Sequence, residues 1–149
     1  LRLTNNATYL IDGKVQIGAP LQQNQAPTST ATLTIEPGTQ LRGAGGALDF
    51  LVINPGSRIF AEGTVDAPIV FTGPTETSGS WGGVVLAGLA TNNNASVAGG
   101  TAAFEADPTL IWGGNNDNDS SGVMRYVQIR NAGAVISSNV ELNSLTLGS

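Results

Sequence analysis

The densest run of chemistry-bearing side chains is Asn115-Asn116-Asp117-Asn118-Asp119-Ser120-Ser121-Gly122. Alternating carboxylates and amides are hard oxygen ligands of the kind that hold Ca²⁺. Asn115, Asp117 and Asp119 have the alternation of a calcium loop and are the candidate metal ligands. The match stops there: Ser120 stands where a turn glycine is needed, and no glutamate occupies the twelfth position. The competing and favoured reading is an Asx-rich turn whose side chains bond nearby backbone amides. No cofactor is expected, and calcium is the one that the residues could support.

Paired carboxylates are the second possibility, because glycoside hydrolysis uses two. Glu62 and Asp66, Glu105 and Asp107, and Asp117 and Asp119 are near neighbours, but none sits at an evident cleft. A polysaccharide lyase would add a basic proton acceptor to an acidic metal site, and Arg125 or Arg130 beside Asp117 and Asp119 would supply it. The plainer reading of both arginines is a solvated strand face with weak local ion pairs. Trp81-Gly82-Gly83 and Trp112-Gly113-Gly114 read either as sugar-stacking platforms or as plugs at irregular corners, and the plug is expected. Cysteine and histidine are absent, which removes disulfides, thiolate zinc sites and thiol nucleophiles. The sequons Asn6-Ala7-Thr8, Asn94-Ala95-Ser96 and Asn118-Asp119-Ser120 carry little weight in a chain this rich in Asn, Thr and Ser.

The elements that must position these groups announce themselves by a repeated phrase. Thr34-Ile35-Glu36-Pro37-Gly38-Thr39-Gln40-Leu41 returns as Val52-Ile53-Asn54-Pro55-Gly56-Ser57-Arg58-Ile59, eighteen residues on. Both copies read as strand, type II turn, strand, with Pro fixing one turn position and Gly supplying positive φ at the next. Short β-branched and aliphatic clusters recur along the chain, and no window holds a 3.6-residue apolar period. The expected fold is all-β: a right-handed parallel β-helix, or β-solenoid, of about six to seven rungs filling residues 1–149 as a single domain. On that reading Ile35 stacks on Ile53 and Leu41 on Ile59, while Thr34, Thr39, Gln40, Ser57 and Arg58 face water. The stretches 19–30, 74–80 and 91–109 break the rhythm and read as corner insertions, the last a solvent loop or a recognition loop.

Composition narrows the partners. Charged residues are only 11% against 40% hydrophobic, so the chain is not of disordered type. With net charge −5 and six basic residues it lacks the cationic patch that nucleic acid or anionic lipid requires. No apolar run reaches transmembrane length. Low Lys with abundant Thr, Asn and Gly fits an extracellular bacterial protein.

The segments Leu33–Thr39, Ile59–Thr72, Ser80–Gly88, Gly113–Val127 and Glu141–Gly148 together resemble the secreted bacterial right-handed parallel β-helix proteins, surface proteins and lipoproteins with no established activity. The resemblance implies export, cell-surface location and right-handed winding, and supplies no catalytic residue. It also implies a longer solenoid, of which this chain is expected to be an open-ended segment. The functional expectation is a non-enzymatic extracellular structural or interaction module, adhesive or filament-forming. Its expected partners are further rungs of the same protein or end-to-end copies. The alternative is a carbohydrate-active β-helix of polysaccharide-binding or lyase type, with a surface polysaccharide as its ligand.

Overall fold

The computed structural model describes residues 1–94, 100–138 and 140–148. Three short strands make each turn of the coil. The first rung is β1 (Arg2–Leu3), β2 (Thr8–Ile11) and β3 (Lys14–Ile17). The second is β4 (Thr32–Ile35), β5 (Gln40–Gly43) and β6 (Phe50–Ile53). The third is β7 (Arg58–Glu62), β8 (Ile69–Thr72) and β9 (Gly83–Ala87). The fourth is β12 (Gly122–Arg125), β13 (Val127–Ile129) and β16 (Leu145–Gly148). They stack as three parallel four-stranded walls: sheet one β1-β4-β7-β12, sheet two β2-β5-β8-β13 and sheet three β3-β6-β9-β16. The result is a right-handed parallel β-helix. No helix among the described residues is long and apolar enough to cross a membrane.

The eighteen-residue phrase is not the rung. Ile35 lies on sheet one beside Ala61, whereas Ile53 lies on sheet three beside Leu86. Leu41 pairs with Phe71, and Ile59 with Leu33. The true register step is 26 residues on sheet one (Leu33 to Ile59), 30 on sheet two (Leu41 to Phe71) and 33 on sheet three (Leu51 to Val84). The Pro-Gly phrase marks two successive uses of one corner device, between sheets one and two and then between sheets three and one. Gly38 and Gly56 have φ of 80° and 78°, and the Thr39 and Ser57 N–H groups close the turns onto Glu36 and Asn54 carbonyls. Only glycine adopts that conformation without strain.

Two corrections follow from this register. The described coil has four rungs rather than six or seven, because a three-walled rung consumes more chain than an eighteen-residue repeat allows. Thr39 and Ser57 are buried, not on the water-facing side. The in-and-out alternation of a strand does not continue through a corner, where the chain turns inward. Thr39 Oγ1 donates to the Glu36 carbonyl (2.7 Å), and Ser57 Oγ accepts from the Ala31 N–H (3.1 Å), so both hydroxyls are satisfied. Gln40 and Arg58 are exposed, as expected.

The interior is a column of aliphatic side chains, with Leu33, Ile35, Leu41, Leu51, Ile53 and Ile59 all buried. A second apolar cluster lies on the outer face of sheet three. There Phe50, Val52 and Val85 are covered by Leu110 and Leu142, with Phe104, Ala106 and Ile136 packed alongside. The covering residues come from two insertions. One carries the antiparallel pair β10 (Ala102–Ala103) and β11 (Ile111–Trp112); the other carries β14 (Val135–Ser137) and β15 (Val140–Glu141). The described part of the 91–109 stretch is therefore wall cladding, not only a solvent loop. Residues 95–99, with part of the Asn94 sequon, lie outside the described residues.

Candidate functional site

The Asn115–Ser121 loop spends its carboxylates on backbone. Asp117 Oδ1 accepts the Thr91 N–H (2.8 Å) and Asp119 Oδ2 accepts the Leu89 N–H (2.8 Å). The N–H groups of Gly114 and Asn116 return to the carbonyls of Ala90 and Leu89, each at 3.0 Å. The loop is thus stitched along residues 89–91. Among the described residues no group of three or more His, Cys, Asp or Glu comes together in a way that could hold a metal ion. Arg125 faces Glu62 at 3.9 Å, and Arg130 bonds Gln128.

The tryptophans behave differently. Trp81 is fully buried, its indole Nε1 donates to the Arg130 carbonyl (2.9 Å), and it fills the corner beside Gly43, where an added Cβ would meet Trp81 Cβ at 2.5 Å. That is a plug. Trp112 is half-buried and tilts against Phe104 with ring centroids 5.7 Å apart, and its Nε1 has no hydrogen-bond partner among the described residues.

Two concavities gather polar side chains from the insertions. The first is a cleft of about 180 Å³ over sheet three, between the two insertions. Val85, Phe104, Leu110 and Leu142 form its apolar floor, and Glu105, Asp107 and Glu141 line it. Lys14 Nζ donates to Asp107 Oδ2 and to Thr109 Oγ1, both at 2.9 Å, and the Thr109 hydroxyl donates to Asp107 Oδ1 at 2.6 Å. Burial raises the Asp107 pKa, but the Lys14 and Thr109 bonds outweigh it, so the carboxyl sits below its ordinary value. The second concavity is a groove of about 530 Å³ at a corner of the coil, where residues 24–27, 89, 100–101 and 113–116 meet. It is lined by amides, a hydroxyl and small apolar groups.

A family model described as a pectate-lyase like beta helix domain matches residues 1–148. The chain belongs to that family. No curated protein and no solved structure matches it.

In this pectate-lyase-like β-helix domain the structure joins Glu105 and Asp107, paired by sequence, to Glu141 at one cleft. It brings Asn115 to the groove and turns Asp117 and Asp119 toward residues 89–91. Sequence reasoning missed Lys14, Glu141, Asn24 and Thr101. Lys14 and Asp107 are 93 positions apart, and Asn24 and Thr101 are 77 apart. No local pattern signals a contact of that range; only the winding of the coil makes it.

Proposed function

We propose that this chain is a non-enzymatic extracellular module of a bacterial cell surface that works by contact. The observation that carries the reading is the separate commitment of its charges. Arg2 is held by Glu36, Lys14 by Asp107 and Arg42 by the Pro74 carbonyl, while Arg125 lies 3.9 Å from Glu62 with both side chains exposed. A lyase needs a free base facing acidic metal ligands, and a glycosidase needs a carboxyl whose pKa is raised so that it can donate a proton. In the sheet-three cleft the nearest base is tied down, and the Asp107 carboxyl is shifted the wrong way. The cleft's acidic lining and apolar floor, together with the family's name, favour the second reading, a carbohydrate-active domain.

One assay separates the two readings. The chain is incubated with polygalacturonate, with and without added Ca²⁺, and the ultraviolet absorbance of unsaturated uronide is followed. No product is expected, and added Ca²⁺ should leave the melting temperature unchanged. A calcium-dependent rise in product would overturn the reading; a calcium-dependent thermal shift lost in Asp117→Asn and Asp119→Asn would establish the loop as a metal site.

A further inference from the structure

We infer that the corner groove between residues 24–27 and 113–116 is a binding site for a neutral oligosaccharide. The inference rests on the contact-module reading above and gives that module a ligand class.

The lining is the first argument. Asn24, Gln25, Thr101, Asn115 and Asn116 face the groove with Pro27, Leu89 and glycine backbone, and no ionisable side chain is among them. An ionic ligand entering such a place would lose hydration without gaining a counter-charge. Amides donate and accept at once, as sugar hydroxyls do. Pro27 and Leu89 offer apolar surface for the C–H faces of a sugar ring. The chain's net charge of −5 further disfavours a polyuronate.

Availability is the second argument. The side-chain amides of Gln25, Asn115 and Asn116 make no hydrogen bond among the described residues. Their bonding capacity is open to a ligand.

Rigidity is the third. Asn24 holds a left-handed φ of 55° and is clamped to Thr101: its N–H donates to Thr101 Oγ1 (3.1 Å), and Thr101 donates back to Asn24 Oδ1 (3.3 Å). That clamp ties residue 24 to residue 101 at the groove. The opposite wall is fixed by the Asp117 and Asp119 bonds to residues 89–91. Gly114 lies so close to the Leu89 carbonyl that a Cβ would meet its oxygen at 2.7 Å, so the floor there is bare backbone. A prearranged groove loses little entropy on binding. Its volume of about 530 Å³ is within the range of small-molecule sites.

The test is a titration of the isotope-labelled 149-residue chain followed by NMR. The probes are cellotetraose, xylotetraose and mannotetraose, with tetragalacturonate as the charged control. At least one neutral tetrasaccharide should shift the side-chain amides of Gln25, Asn115 and Asn116 saturably, with a Kd near or below about 1 mM. Asn115→Ala and Asn116→Ala should each weaken that binding about tenfold, one hydrogen bond's worth, at an unchanged melting temperature. Silence from all three neutral sugars in that range overturns the inference. So does a response to tetragalacturonate alone, or saturable shifts that map to the sheet-three cleft. None of these outcomes bears on lyase product, so the groove and the non-enzymatic reading fail separately.

Discussion

Lys14 and Asp107 meet at 2.9 Å across 93 residues of sequence, and the contact pins the β10–β11 insertion to the first rung. Both side chains are partly exposed, so the pair itself is worth less than about 1 kcal/mol. Its value as a probe is larger. Asp107 has a folded pKa below the ordinary aspartate value, through its Lys14 and Thr109 bonds and despite burial. Asp117 shifts the same way, through its bonds to Thr91. The unfolded chain therefore takes up these protons first. The stabilisation is complete above the ordinary aspartate pKa and is lost as pH falls through the lower folded values. Melting temperature should accordingly drop on acidification through the aspartate range. Asp107→Asn should start lower at neutral pH and fall less steeply. Parallel curves for the two proteins would show that Asp107 does not link folding to protons.

At the scale of elements, the inward faces of the strands were legible and the register was not. Ile35, Leu41, Ile53 and Ile59 read as inward from the repeated phrase and the alternation around it, and all are buried. Alternation is a local property of a strand. The pairing of one strand with the next depends on how much chain the corners and insertions consume, and that has no fixed period here. A repeated Pro-Gly phrase names a corner without saying which corner. The candidate sites were less legible still, since each is assembled from insertions that are distant in sequence. Three substitutions test the corner assignment by thermal melting. Ile53→Asp buries an unpaired carboxylate between rungs and should cost about 4 kcal/mol or prevent folding. Thr39→Asp removes a buried hydroxyl that donates to the Glu36 carbonyl, and should be clearly destabilising. Gln40→Asp, one residue on and exposed, should stay within about 0.5 kcal/mol of the parent. Equal shifts for Thr39→Asp and Gln40→Asp would remove the buried-corner assignment.

At the scale of the whole molecule, the apolar columns of the coil run out into solvent at both outer rungs. On the fourth rung Leu145 and Leu147 pair with Val84 and Leu86, yet they are 41% and 69% exposed. On the first, a pit of about 170 Å³ opens among Leu1, Leu3, Val15 and Ile17. Extending the observed register by one more rung would set Val15 against Leu145 and Ile17 against Leu147 without bringing a charge into the core. Exposed apolar surface beside unpaired strand edges templates further pairing. Cover could come from more rungs of the same polypeptide or from a second copy stacked head to tail, a contact that does not close and so propagates. Light scattering of the 149-residue chain should therefore show mass rising with concentration. Leu145→Lys with Leu147→Lys should suppress that rise while changing stability by less than about 1 kcal/mol, since both side chains already stand in solvent. A longer polypeptide that adds rungs beyond Gly148 should stay monomeric at the same concentrations. A 149-residue chain that stays monomeric, with its β16 amides protected from exchange, would mean that the fourth rung needs no cover.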